Sequence, residues 1–248
     1  MNIMEEKLNE IFSFLKGNRS YNKIVQENFY DAAITPYEKT EDKVVNLLYD
    51  IANTQSQPKI DKLSSFFKQI HKKPDELLTF KGFLNRISEN KELTYRNLFE
   101  SLRIQSGWGN KTAALFTKTI FHLHNGNYRN DLKIWTDTPK NIEESDDFYL
   151  PVDAVIIAIF KGIEPNRSWN FDNITKKIKE FYKHEEIEVW DDLWFWGFIT
   201  QKGSGENRVF EWNENKYWMM KESEKNPNRI KEIKLKANRF IEILNVNQ

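Results

Sequence analysis

The apolar residues of this chain recur at intervals of three and four rather than two, the period of helices with one buried face. Met4, Leu8, Ile11, Phe12 and Leu15 form one such stripe, and Val45, Leu48 and Ile51 form another within 42–52. The same spacing predicts helices near 20–30, 59–70, 80–88, 92–103, 111–123, 153–161, 170–183, 188–200 and 227–244. Two stretches break the pattern. Segment 125–150 is polar, carries an acidic cluster at Glu143, Glu144, Asp146 and Asp147, and reads as an inserted surface loop with room for a short helix. Segment 202–216 holds two glycines and little periodicity. No internal repeat or low-complexity tract is present, and the fold class this predicts is all-α.

Composition narrows the chemistry. Nine glycines and seven prolines in 248 residues, roughly half the usual share, agree with long helices and few turns. Zero cysteines exclude disulfides, thiolate metal sites, cysteine-held iron–sulfur clusters and cysteine nucleophiles. Of the four histidines only His122 and His124 are close, and two residues apart they point to different helix faces, so no metal site is expected. The N-terminal MNIMEEKLNE lacks an apolar leader core, and the longest uncharged apolar run, 154–160, is too short to span a bilayer. The expectation is an intracellular monomer with no membrane and no cofactor, cytoplasmic and nucleoid-associated in a prokaryote. Thirty-seven basic against 37 acidic residues argue against bulk electrostatic coating of nucleic acid, but not against a local grip on a few phosphates.

One connection does not read as an ordinary helix joint. Gln105-Ser106-Gly107-Trp108-Gly109-Asn110-Lys111-Thr112-Ala113 separates two periodic helices. A Gly-x-Gly turn on its own is most often just a turn. Yet without side chains at Gly107 and Gly109 the backbone N–H groups at the start of the next helix can approach an anion, helped by the positive end of the helix dipole. Lys111 falls in the first turn of that helix, where the dipole and any burial disfavour its ammonium form and favour a nucleophilic amine. Forty-two residues on, Leu150-Pro151-Val152-Asp153 opens an almost wholly apolar helix. Asp153 fits an N-cap, a role compatible with catalysis.

Gly107-x-Gly109-x-Lys111-Thr112-Ala113 followed by Pro151-Val152-Asp153 resembles the helix–hairpin–helix, Gly/Pro-rich loop and aspartate signature of the base-excision DNA glycosylase superfamily. The resemblance implies that Lys111 attacks the sugar and Asp153 assists. Leu47 to Gln55 resembles the family helix whose terminal Gln or Asn fills the space left by an extruded base, a role that would fall to Gln55. The chain departs from the signature at Ser106, where Pro is usual, at the bulky Trp108, and after Asp153. The long separation of Lys111 from Asp153 and the absence of a cluster look more like the archaeal-type 8-oxoguanine glycosylase/lyase group. That likeness implies a base pocket of Lys118, seven residues after Lys111, of Asp192 and Trp196, four apart on a late helix, and of Gln26. Each of these has a plain structural alternative: a helix lysine, an aromatic core, a polar surface residue.

The resemblance implies two helical lobes with a central cleft. One lobe would span 38–150 with the hairpin at 104–113; the other would combine 1–37 with 151–248, Lys111 and Asp153 facing each other between them. The implied partner is double-stranded DNA carrying a damaged base, and the implied activity is removal of an oxidised base, 8-oxoguanine first, through a lysine Schiff base with AP-lyase cleavage. Three alternatives stay open: the same fold acting on an alkylated or oxidised pyrimidine, a non-catalytic DNA-binding protein that keeps the hairpin, and an all-helical interaction protein with no nucleic-acid role. The C-terminal basic residues Arg229, Lys231, Lys234, Lys236 and Arg239 form a candidate phosphate stripe among acidic neighbours.

Overall fold

A computed structural model describes residues 3–140, 142, 146–205, 208–220 and 227–245. The protein is predominantly helical, as the periodicity predicts, with a single pair of two-residue strands among the described residues. None of the described helices is long and apolar enough to cross a membrane. The chain divides into two compact units, one made of Met1–Val25 with Val152–Gln248 and the other of Gln26–Pro151. The first boundary therefore lies inside a helix, α2 (Arg19–Ile34), rather than at 37/38. The cause is local: Tyr30, in the second half of α2, is buried and hydrogen-bonded to His122 of the second unit at 2.9 Å.

The 26–151 unit holds α3 (Thr40–Ala52), α4 (Ile60–His71), α5 (Phe80–Ile87), α6 (Tyr95–Arg103) and α7 (Asn110–Asn125) near the predicted positions; the buried stripe of α3 is Val44, Leu47, Leu48 and Ile51, with Val45 at its edge. Helix α7 packs on both α6 and α3 and is buried along most of its length. Helix starts leave N–H groups that need acceptors, and the sequence supplies them locally at α5, where Thr79 accepts from Gly82, and at α6, where Thr94 accepts from Asn97. A second set of acceptors comes from far along the chain. Asp137 accepts from the Phe80 and Lys81 amides at 2.8 and 3.0 Å, and Asp146 from those of Tyr95 and Arg96 at 2.9 and 2.7 Å.

Segment 125–150 is consequently not an inserted surface loop. Among its described residues the one regular element is a 3-10 turn at Asn130–Leu132, beyond the end of α7, but Leu132, Ile134, Trp135, Phe148 and Leu150 are buried. Trp135 donates its indole N–H to the Leu77 carbonyl and packs against Phe80 and Phe83. The acidic cluster that made the segment look solvated includes one of the two helix-capping aspartates, Asp146, while Glu143 and Glu144 lie outside the described residues.

In the other unit, α1 (Ile3–Gly17) packs against α10 (His184–Trp190) and α13 (Pro227–Asn245), and α8 (Ala154–Ile163) packs against α11 (Asp192–Ile199) and α13. Helix α9 (Phe171–Lys179) begins with an Asn170/Asn173 capping box. The single helix expected over 188–200 is two, α10 and α11, meeting at Asp191. Segment 202–216 holds structure that periodicity does not reveal: β1 (Gln201–Lys202) pairs antiparallel with β2 (Val209–Phe210), and α12 (Glu214–Met220) follows. Glu211 and Asn213 donate backbone N–H bonds to the Thr200 and Ile199 carbonyls, pinning this segment to the end of α11.

Asp146→Ala strands two helix-start amides beside a site where the aspartate is 3% exposed. We expect urea unfolding to report a loss of about 2 kcal/mol, larger than the roughly 1 kcal/mol expected for Thr94→Ala.

Candidate functional site

The connection between α6 and α7 is built by one glycine and one tryptophan. Gly107 has φ +83°, and a Cβ there would lie 2.8 Å from the Leu63 backbone nitrogen, so glycine is required both by conformation and by space. Trp108 packs its ring on Phe66 and Phe116, docking the turn onto α4 and α7. Gly109 is different: its backbone is extended, and a Cβ there would meet nothing within 4 Å. It is the N-cap of α7 and supplies no side chain to the first amides of that helix; its own N–H donates to the Thr112 hydroxyl at 3.2 Å. Ile104, at the other end of the turn, is 71% exposed.

Gln55 and Lys111 meet at this turn. The Gln55 amide nitrogen donates to the carbonyls of Ala52 and of Gly107, at 3.1 and 3.2 Å. The Lys111 ammonium donates to the Thr54 carbonyl at 3.0 Å. The short segment after α3 thus holds both the turn and the lysine. Lys118, two turns further along α7, is 6% exposed. His122, one turn beyond it, stacks on Tyr128, whose hydroxyl donates to the Gln26 carbonyl oxygen.

In the 1–25/152–248 unit the apolar helix α8 is capped by Asp153. Its Oδ1 accepts from the Val155 and Ile156 amides at 2.8 and 3.2 Å, and its Oδ2 accepts from the Trp194 indole at 3.0 Å. Trp194 and Phe198, one turn apart on α11, stack with ring centroids 4.9 Å apart at 14°. The Lys216 ammonium stands 4.8 Å over the Phe198 ring. Burial holds the Lys216 amine below the usual lysine range; the nearby Arg208 cation acts in the same direction and the Asp153 carboxylate against it.

Asp192 and Trp196 turn away from that face. Asp192 is 2% exposed, accepting from Asn22 at 2.7 Å and from Arg19 at 3.2 Å, with Glu188 as the second partner of Arg19. Burial, which outweighs the Asn22 and Arg19 contacts, pushes the Asp192 carboxyl up to about 7. Trp196 has no exposed surface; the rings of Phe14, Tyr21, Phe195 and Phe240 surround it.

No protein-family model, curated protein or solved structure matches this chain.

The functional reading therefore rests on the residues themselves. Within one unit the structure brings together Gln55, Gly107, Gly109 and Lys111; Gln26 is joined to Tyr128 and His122 elsewhere in that unit. Within the other, it places Asp192 and Trp196 in the interior and Asp153 beside Trp194. Sequence reasoning missed Trp194, Phe198 and Lys216. The signal existed: the spacing of four that selects Asp192 and Trp196 is repeated by Trp194 and Phe198, two positions round the helix. No group of three or more His, Asp or Glu residues placed to hold a metal occurs among the described residues. A pocket of about 400 Å3 lined by Tyr37, Asn46, Tyr49 and Phe67 contains none of the predicted site residues.

The hairpin offers helix-start amides with open space in front of Gly109, an exposed apolar residue at its edge, and an amine in the first turn of α7. The α8/α11 site offers a carboxylate held by three N–H donors next to a stacked aromatic pair. These are parts suited to binding an anion and to stabilising a positive charge, respectively.

Two measurements check this geometry. Gly107→Ala is expected to cost about 2 kcal/mol or more in urea unfolding, while Gly109→Ala stays within about 1 kcal/mol. Because Asp192 holds its proton up to about pH 7 when folded but only to about 3.8 otherwise, the folded chain binds more protons in that window. Its contribution to stability therefore declines as pH rises from about 4 to about 7, and Asp192→Asn is expected to flatten that part of the thermal-stability profile.

Proposed function

We propose that the protein is a base-excision DNA glycosylase with AP-lyase activity, acting on double-stranded DNA that carries an oxidised base. The observation that carries this reading is the hairpin site: a positive-φ glycine, an α7 start without a side-chain cap, and Lys111 in the first turn of that helix. Asp153, fixed by three donors, supports it.

A base inside a duplex is unreachable, so the nucleotide must first leave the stack, at a cost of a few kcal/mol that is least at a damaged site. In this reading the α7 amides near Gly109 hold a backbone phosphate and Gln55 stands at the vacated space. Lys111 leaves the Thr54 carbonyl, loses a proton and attacks C1′. The glycosidic bond breaks, its electron pair goes to the base nitrogen, and the base departs with a proton. Asp153 opposes the positive charge that develops on the sugar. The sugar ring then opens: the nitrogen lone pair forms the C1′=N bond as the C1′–O4′ bond breaks and O4′ takes a proton. The resulting Schiff base acidifies C2′, and removal of that proton breaks the C3′–O bond and expels the 3′ phosphate.

A second reading, the same chemistry on another lesion such as an alkylated or oxidised pyrimidine, is favoured by one observation. Trp196 is enclosed and both oxygens of Asp192 already accept hydrogen bonds, so neither offers a free face to a base.

The test is borohydride trapping on duplexes carrying 8-oxoguanine, with a panel of alkylated and oxidised pyrimidines alongside. A covalent complex is expected with the wild-type chain, none with Lys111→Gln, and a rate reduced at least about a hundredfold with Asp153→Asn, which keeps an N-capping oxygen. Trapping that survives Lys111→Gln removes the nucleophile assignment; trapping on a pyrimidine lesion alone selects the second reading.

A further inference from the structure

Lys216 reaches its position through a chain of local constraints. Asn213 fixes the start of α12 on the end of α11: its N–H donates to the Ile199 carbonyl at 2.8 Å, its side-chain amide to the Gln201 carbonyl at 3.2 Å, and its side-chain oxygen accepts from the Lys216 amide at 3.2 Å. The ammonium is thereby held over Phe198, which stacks on Trp194, which in turn binds Asp153. Arg208, at the entry to β2, is oriented by the strand it faces. One of its terminal nitrogens donates to the Gln201 side-chain oxygen at 2.9 Å, and the Gln201 amide donates to the Val155 carbonyl in the first turn of α8 at 3.0 Å.

The charge account of this cluster does not close. Two cations, Arg208 and Lys216, share the neighbourhood of one carboxylate, Asp153. Among the described residues neither cation forms an ion pair, and the buried Nε of Arg208 has no hydrogen-bond partner. A buried guanidinium nitrogen without an acceptor is costly, and half-buried like charges repel, unless an anion completes the group. The repulsion between the two cations is relieved by one ligand with several acceptor oxygens and at least one negative charge.

We propose that Arg208 and Lys216 form an anion site beside Asp153 that takes a backbone phosphate of a nucleic-acid strand. This assignment rests on the reading of the protein as an enzyme acting on DNA, and it gives that reading a second phosphate contact, in the unit that does not contain the α6–α7 turn. The planar Arg208 guanidinium supplies one charge to the phosphate and Lys216 a point charge to another of its oxygens. The stacked Trp194 and Phe198 rings keep the Lys216 stem in place and limit the water that competes for its charge.

The experiment is an anisotropy titration of the full chain with a duplex carrying a tetrahydrofuran abasic analogue, which forms no Schiff base and so reports binding without chemistry. Lys216→Met retains the apolar stem over Phe198 and removes only the charge; Arg208→Met removes the fork. Each is expected to weaken binding about tenfold at low salt and to reduce the slope of log affinity against log salt by about one, with Lys216→Arg restoring both. Circular dichroism melting of each variant identifies any that has lost its fold; should Arg208→Met do so, Lys216→Met decides alone. Unchanged affinity and slope in folded Lys216→Met overturn the anion site. Trapping by the wild-type chain together with that result leaves the enzyme reading intact; no trapping on any lesion, with the Lys216-dependent slope present, leaves the anion site and removes the enzyme.

Discussion

Every helix start exposes amides that need acceptors, and in a predominantly helical chain this requirement organises the rest. Thr79 and Thr94 answer it from within their own turns; Asp137 and Asp146 answer it for α5 and α6 from more than fifty residues away. Those two remote caps convert an irregular polar stretch into part of the 26–151 core. Asp153 answers the same need for α8 and then has one oxygen left, which takes the Trp194 indole. Helix α7 begins on a glycine, with no side chain to cover its first amides. The capping requirement thus accounts for the packing of the long connection, for the orientation of the one carboxylate proposed to act, and for the opening at the hairpin.

The two faces of α11 show how the same residue types divide by task. Asp192 and Trp196 point into a region built by α1, α2 and α13, where an aspartate needs Arg19 and Asn22 and a tryptophan is surrounded by rings. Trp194 and Phe198, two positions on and about 200° round the helix, stay partly exposed and carry the carboxylate and the lysine. Both pairs are spaced by four. A spacing identifies residues that share a face; it does not say whether that face meets solvent.

Three lysines make the related point for charge. Lys111 is hydrogen-bonded to a main-chain carbonyl, Lys118 is buried along α7, and Lys216 lies over an aromatic ring with its amine held below the usual range. Each sits on a helix with apolar neighbours at three and four, so local sequence describes them alike. Their different surroundings come from segments remote in sequence: residue 54 for Lys111, residue 198 and the 201–210 hairpin for Lys216.

The sequence by itself determined the helical class, most helix positions and the N-capping role of Asp153, because each follows from periodicity or from chemistry within a few residues; that glycine is required at 107 and not at 109 depends on the distant Leu63. It did not reveal the two-residue strands or α12, which are too short for a period to show, nor the break at Asp191 between two helices that share one apolar run. Tertiary structure alone decided that Asp146 is a cap rather than a solvated charge, that α2 is divided between two units, and that Trp194 rather than Trp196 reaches Asp153. Those outcomes depend on which acceptor lies within 3 Å of which amide or indole, and distant parts of the chain supply the answer.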